Sequence, residues 1–345
     1  AARLADLGLT GVAGPELEYY LLEPATPGTG SRDASGTAWK RYDDAPGNVY
    51  VAGRKGDRGS HVLRTLRTLR ALDIGATMGN HEFSGGQFEI NLHHSDALDA
   101  ADRAFRFKSA IKELARHDGL MATFMAKPFD DEGGSGFHVH LSCVDATGRN
   151  VFATTPAQDT TPGGEAGDAG APYGLSQTAM YAIGGVLAHA PALAALLNPT
   201  INSYKRFGPD TLAPWLNDWG LDNRSAMLRI PPERGAGSRL EVRLGDASAS
   251  PYLGIAGLLA AVYLGIRDRV LPPAPLEGYG YDTAKAPVLP MTLPAALDAF
   301  EADGELIEVL GKEFSAAYLA YKRDEVQRFS KTVTDWEFRE YAYQL

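Results

Sequence analysis

Several short stretches of this chain repeat one arrangement of ionisable side chains. Glu16 and Glu18 stand two residues apart in Glu16–Leu22, with Leu17, Tyr19 and Leu21 between and beyond them. Gln87, Glu89 and Asn91 alternate with Phe88, Ile90 and Leu92, and Glu82 stands seven residues before Glu89 across a Gly-Gly pair able to bring the two carboxylates together. After the glycine-rich Gly133–Gly136, His138, His140 and Ser142 alternate with Phe137, Val139 and Leu141. Glu241 and Arg243 alternate with Leu240, Val242 and Leu244. A period of two is that of a β-strand, so each stretch predicts a strand with one apolar face and one ionisable face. Taken singly, each fits equally a plain half-buried or edge strand with solvated polar residues. Together they place Glu16, Glu18, Glu82, Glu89, Glu241 and His138 on one surface. Five carboxylates and one imidazole crowd together only if cations lie between them. An oxygen-rich set with a single imidazole suits Mg²⁺ or Mn²⁺ better than Zn²⁺.

Near these strands the chain offers Arg206, Arg224, Arg229, Arg239 and Arg243. Arginines beside hard cations suggest a polyanion such as a nucleotide phosphate, together with a carboxylate substrate. No Walker A sequence occurs, and no Gly-x-Gly-x-x-Gly follows a strand, so neither of those nucleotide folds is indicated. A metal-dependent hydrolase built on His138-x-His140 is the rival chemistry, but it has no use for five arginines.

The elements that must position these residues follow from periodicity and turn signals. The patterns predict one antiparallel sheet of polar-faced strands with helices on its apolar side, an α+β architecture in which a curved sheet lines the active site. Expected helices are Ser60–Asp73, about Asp96–Asp118 with Ser95 as N-cap and Leu98, Ala101, Phe105, Ile111 and Leu114 inward, Gly174–Leu197, and Ser250 to about Val270. Helices near Pro294–Asp303, Glu305–Phe329 and Thr334–Leu345 close the chain. Ile74–Met78, Leu120–Lys127 and Met227–Ile230 read as further strands. Pro24–Gly47 and the low-complexity Thr154–Pro172 read as loops, and Asn198–Leu221 as irregular. Ala1–Gly8 reads as the end of an amphipathic helix that began earlier in a longer protein.

Bulk properties bound the function. The chain has 345 residues and a net charge of −10, with no run of Lys or Arg, which argues against nucleic-acid or anionic-membrane binding. No stretch of about 18 apolar residues is read as a membrane span, no signal peptide is visible, and a cytoplasmic setting is expected. The single cysteine, Cys143, excludes an internal disulfide and reads as a small strand-end residue rather than a nucleophile.

Six segments in order resemble the glutamine synthetase family: Gly-Pro-Glu-Leu-Glu-Tyr-Tyr-Leu from Gly14, Gly-Gly-Gln-Phe-Glu-Ile from Gly85, Gly-Ser-Gly-Phe-His-Val-His-Leu-Ser from Gly134, Asn-Ser-Tyr-Lys-Arg from Asn202, Asp-Asn-Arg-Ser-Ala-Met-Leu-Arg-Ile-Pro from Asp222, and Arg-Leu-Glu-Val-Arg-Leu from Arg239. The resemblance implies a catalytic domain of the glutamine synthetase and guanido kinase type over residues 1–345, with the family's small N-terminal β-grasp domain absent from the chain shown. It implies Glu18, Glu82 and Glu89 as ligands of one divalent ion and Glu16, His138 and Glu241 as ligands of the other. Arg206 resembles the arginine that holds the substrate α-carboxylate, and Arg243 the one near its reacting γ-carboxylate. Arg224, Arg229 and Arg239 resemble those that clamp ATP phosphates, with His140 and Ser142 beside the nucleotide. The Gly133–Gly134 turn resembles the loop that receives the glutamate amino group. The implied reaction is ATP-dependent: the glutamate γ-carboxylate becomes γ-glutamyl phosphate, and a nitrogen nucleophile then forms an amide. Two or more Mg²⁺ or Mn²⁺ ions, glutamate, ATP and ammonia or an amine are the implied small molecules. A ring-shaped homo-oligomer, a dodecamer in the family manner, is the implied assembly.

Two positions depart from that family's pattern. Its flap reads roughly Pro-Gly-Tyr-Glu-Ala-Pro, with a glutamate that binds ammonium. Here Gly208–Pro214 carries Leu212 at that place, with Asp210 two residues earlier. Gly133 stands where many relatives have Asn. Both departures suit an organic amine acceptor, such as a polyamine or ethanolamine, in place of ammonia. An ordinary ammonia-using enzyme and a non-catalytic scaffold are the alternatives, though all six metal positions are filled. Tyr281 lies in the region of the family's regulatory tyrosine but in different surroundings, and reads as a loop residue.

Overall fold

The computed structural model describes residues 1–26, 30–33, 36–43, 49, 51, 57–154, 172–209 and 211–343. Its elements in chain order are α1 (Ala2–Ala5), β1 (Thr10–Pro24), β2 (Ser31–Arg32), β3 (Ala38–Arg41), α2 (His61–Ala71), β4 (Ala76–His81), β5 (Gln87–Leu92), β6 (Ser95–Asp96), α3 (Ala97–His117), β7 (Met121–Thr123) and β8 (Phe137–Val144). There follow α4 (Gln177–Leu197), β9 (Trp219–Leu221), β10 (Leu228–Ile230), β11 (Leu240–Val242), α5 (Pro251–Asp268), α6 (Leu293–Ala302), α7 (Gly304–Leu310), α8 (Lys312–Ser330) and α9 (Asp335–Tyr341).

β1 is the axis of an open mixed sheet. It pairs with β8 from Thr10↔Val144 to Leu17↔Phe137, and with β5 from Glu16↔Asn91 to Tyr20↔Gln87. From β8 the sheet continues through β11 to β10 and β9. Every described strand pair is antiparallel except β9–β10, which is parallel. The apolar residues that alternate with the ionisable ones, among them Leu17, Tyr19, Ile90, Phe137, Val139 and Leu141, are buried. They enter one core with α3, α4 and α5 behind the sheet. Cys143 joins that core, where burial pushes its thiol up to about 12, so the bland reading of it stands.

Several boundaries differ from the sequence expectation for identifiable reasons. Asp96, not Ser95, caps α3, accepting from the Leu98 and Asp99 amides. The buried stripe of α3 is rich in alanine (Ala97, Ala100, Ala101, Ala104) with Phe107 and Ile111, so the helix lies close to the sheet; Leu98 and Phe105 face outward. Leu120–Lys127 shortens to the three-residue β7. The closing helix expected over Glu305–Phe329 is two helices broken at Gly311. α9 is capped by a reciprocal Thr334–Glu337 box. By length and composition α4 is apolar enough to cross a membrane, contrary to the expectation that no such stretch exists. Its flanks are occupied by α5 and α6, and nearly all its residues are buried in the core. Most of the expected Thr154–Pro172 loop, parts of Pro24–Gly47, Asp210 and the last two residues lie outside the described residues.

Candidate active site

The three central strands bring the acids together by register. Glu16 stands opposite His138, Glu18 opposite Glu89, and Glu89 opposite Asn80 on β4. His138 Nδ1 donates to Glu16 Oε1 at 3.0 Å, and Asn91 Nδ2 donates to Glu16 Oε2 at 2.9 Å. This bond leaves His138 Nε2 as the lone-pair nitrogen. Glu18 Oε2 accepts from Gln87 Nε2 at 2.9 Å and from the Gly136 amide at 2.8 Å. Glu82 is held by Asn80 at 2.7 Å. Gly136 is required here, because a Cβ would come within 2.7 Å of His138 Nε2 and 3.0 Å of Glu18 Oε1.

Four carboxylates thus share a buried patch without arginine between them. Burial, then the Glu18 charge, pushes the Glu82 carboxyl up to about 7. Burial and the charges of Glu16, Glu18 and Glu82 hold Glu89 well above the usual range. Glu16 goes the other way: burial opposes ionisation, but the hydrogen bonds and charges of His138 and His140 hold it well below. A dication would invert this frustration, since hard oxygen donors around an Mg²⁺ or Mn²⁺ ion stay ionised. Ligand atoms of Glu16, Glu89 and His138 lie within 4.8 Å of one another, which fits a shared cation. That trio draws Glu89 from one expected ion set and Glu16 with His138 from the other. Glu241, expected beside Glu16 and His138, instead accepts from Arg229 at 2.5 Å and Arg243 at 2.6 Å. Burial opposes its ionisation, but the charges of Arg243, His138 and His140 hold it below the usual carboxylate range.

The arginines divide into separate roles by location. Arg206 is 3% exposed, and among the described residues its side chain makes one long hydrogen bond, 3.4 Å to Asn198 Oδ1. Among the described residues its Nε has no partner, and neither has that of buried Arg243. Burial pushes the Arg206 guanidinium down despite Asp246 and Glu18. Two buried guanidinium groups with bonding capacity left over are ready to receive an anion. Gly134 lies directly beneath Arg206: a Cβ there would meet Ala126 O at 2.7 Å and Arg206 Cδ at 2.9 Å. Gly133, the position of the missing asparagine, is fixed by its backbone, its amide donating to Ser84 Oγ at 2.8 Å and its carbonyl accepting from Tyr20 Oη at 2.7 Å.

A cleft of about 650 Å³ contains Glu16, Glu18, Glu82, Glu89, His138, Glu241, Gly133, Gly134, Arg206, Arg224, Arg229 and Arg243. His140, Ser142 and Arg239 instead line a neighbouring cavity of about 360 Å³ that shares Glu16, Met78 and Asn91 with the first. The two imidazoles of β8 therefore serve adjoining spaces. Arg239 Nε donates to His140 Nδ1 at 3.1 Å, and His140 Nε2 lies 3.4 Å from Glu16 Oε2, a chain linking the two cavities. Leu212 lines the larger cleft with its side chain 58% exposed and its backbone in the left-handed region at φ 62°. Tyr281 lines it as well.

Some participants had a sequence signal and others none. Gln87, Asn91 and Tyr20 share strand faces with the acids and could be read from alternation. Ser84 and Asp222, which binds Arg229 at 2.5 Å, sit in turns where no periodicity points to them.

The chain matches the family "glutamine synthetase, catalytic domain" over residues 1–341. It is 36% identical over 351 residues to the glutamine synthetase of Thermus thermophilus, covering 98% of this chain and 72% of that protein. It is 37% identical to that of Rhizobium meliloti, covering 97% of this chain and 74% of the relative. Among solved structures, a GmaS/ADP complex superposes with a TM-score of 0.83 at 34% identity, covering 99% of this chain and 75% of that one. Apo GmaS gives 0.81 at 34% identity, covering 99% and 74%.

Proposed function

The chain belongs to the glutamine synthetase family, and within that family we propose an enzyme that joins glutamate to an organic amine in preference to ammonia. It is an ATP-dependent carboxylate–amine ligase. Residues 1–345 act in this proposal as one catalytic domain of a ring-type homo-oligomer in the cytoplasm.

The roles proposed for the residues follow from the cleft. Buried Arg206, over the Gly133–Gly134 turn, receives the glutamate α-carboxylate, and the turn's backbone faces its amino group. Arg243, anchored by Glu241, lies toward the γ-carboxylate. The γ-carboxylate oxygen attacks the terminal phosphorus of ATP, the bond to the bridging oxygen breaks, and ADP leaves. Arg224 and Arg229 on the cleft side, with Arg239 from the adjoining cavity, balance the negative charge on the phosphoryl oxygens as it moves. His140 and Ser142 line the nucleotide side; GmaS, a solved relative, carries ADP. Divalent ions, proposed as Mg²⁺ or Mn²⁺ and held by Glu16, Glu18, Glu82, Glu89, His138 and Glu241, would supply Lewis-acid neutralisation of the phosphates. In the second half the amine nitrogen attacks the acyl carbon, phosphate departs with the C–O electron pair, and nitrogen loses a proton to give the amide.

The observation that carries the amine reading is Leu212. An isobutyl group lines the cleft where the family's flap places the ammonium-binding glutamate, and it offers a desolvated ammonium ion no charge. The experiment compares kcat/KM for ammonium and for primary amines, with ATP and glutamate saturating, in the native enzyme and in Leu212→Glu. Amines should exceed ammonium in the native enzyme. The variant should gain roughly tenfold for ammonium relative to amines, the worth of one charge-assisted contact. Ammonium as the best native acceptor would overturn the reading.

A further inference from the structure

Five large apolar or aromatic side chains line the cleft, and they narrow the acceptor class; this inference rests on the amine reading above. Leu212, Tyr279, Tyr281, Phe83 and Met78 all line the space that holds the carboxylates and arginines. They come from three chain segments. Tyr279 and Tyr281, their ring centroids 4.7 Å apart, flank Gly280, whose amide donates to Ser225 Oγ at 2.9 Å beside Arg224. The flap bearing Leu212 runs into Trp215–Asn217, which is tied to the chain beyond those tyrosines: the Leu289 amide donates to the Trp215 carbonyl at 2.9 Å, and the Asn217 amide to the Pro287 carbonyl at 2.8 Å. Met78 lies on β4 and Phe83 in the turn after it.

Leu212, Tyr279, Phe83 and Met78 are exposed despite their size. Large apolar side chains left open inside a cleft are binding surface. Leu212 is moreover presented from a left-handed backbone that a leucine adopts only at an energetic cost.

Three hydroxyls of the lining are already engaged. Ser84 Oγ accepts from the Gly133 amide, Ser225 Oγ donates to Asn223 Oδ1, and Thr211 Oγ1 donates to the Gly208 carbonyl. Among the described lining residues every carboxylate belongs to the cation set. Among the described residues the distal ammonium of a polyamine meets no anion there outside that set.

We propose that the acceptor is a primary monoamine with an apolar substituent, branched alkyl or benzylic, which lodges between Leu212 and the Tyr279–Tyr281 pair with Phe83 and Met78 completing the wall. The test uses the full-length enzyme with glutamate, ATP and, in turn, isobutylamine, benzylamine, ethanolamine, putrescine and ammonium, each amide product being quantified by mass spectrometry. Isobutylamine and benzylamine should exceed ethanolamine and putrescine at least tenfold in kcat/KM. Leu212→Ser, at an exposed position, should reduce that ratio to about threefold or less. Ethanolamine or putrescine matching the apolar amines, or an unchanged ratio in Leu212→Ser, overturns this inference while leaving the amine reading intact. Ammonium as the best acceptor, or no amide from any of the five, overturns both.

Discussion

Replacing Gly134 by alanine tests the proposed glutamate site through a single methyl group. The added carbon would lie 2.7 Å from Ala126 O and 2.9 Å from Arg206 Cδ, closer still to Arg206 Cγ, and short of ordinary contact by about half an ångström or more. The carbonyl cannot retreat easily, because it accepts the Ser135 amide at 2.8 Å. The Arg206 side chain is the part that gives way, having only its long bond to Asn198 to hold it. Overpacking of this kind costs about 1–3 kcal/mol of stability. A functional cost comes on top, since a charged contact worth about 1.5–3 kcal/mol is misplaced, which corresponds to a rise in KM for glutamate of roughly 10–150-fold. Steady-state kinetics with glutamate varied and ATP saturating, beside a thermal melt, reads both effects. The variant should stay folded, melt a few degrees lower, show the rise in glutamate KM and keep its ATP KM within about threefold. A folded variant with glutamate KM within twofold of the native value would refute the placement of Arg206 over this glycine.

Two further outcomes follow from the same geometry. Glu89→Gln removes one of four crowded like charges, so the metal-free protein should melt no lower than the native one, while calorimetry should show Mn²⁺ binding weakened at least tenfold; undiminished binding would remove Glu89 from the ligand set. His61, buried behind the sheet with Nε2 2.8 Å from Tyr19 Oη, is pushed down to about 4 by burial and then by Arg64, with Asp118 opposing. Between pH 6.5 and about 4 the unfolded chain takes up a proton that folded His61 refuses, so stability is full above that window and falls by about 3 kcal/mol across it. His61→Gln should flatten the dependence of melting temperature on pH in that range, and an unchanged slope would assign the acid sensitivity elsewhere.

Much of the site was legible because strands advertise their faces. With a period of two, Glu16 and Glu18 share a face, as do His138 and His140, and pairing of β1 with β5 and β8 brings those faces together. Alternation does not say how carboxylates divide among ions: Glu241 bonds two arginines, while Glu89 joins Glu16 and His138. Nor does it reveal turn residues. Ser84 fixes Gly133 from a bend whose only sequence mark is its glycines. Helical periodicity failed along α3, where Leu98 and Phe105 were expected inward. Close approach to the sheet selects alanine there, and a rule that sends the largest apolar residue inside picks the wrong stripe. α4 falls within the helix expected over Gly174–Leu197 and is apolar nearly all round because helices cover it on more than one side.

In the proposed reaction glutamate is activated by phosphorylation of its γ-carboxylate in this cleft. Glutamate carrying heavy oxygen in that carboxylate, incubated with ATP, Mg²⁺ and a primary amine, tests it most directly. Mass spectrometry of the inorganic phosphate should show one labelled oxygen in each phosphate released, in step with amide formed. Amide formation with unlabelled phosphate, or phosphate release that does not depend on glutamate, would contradict the account.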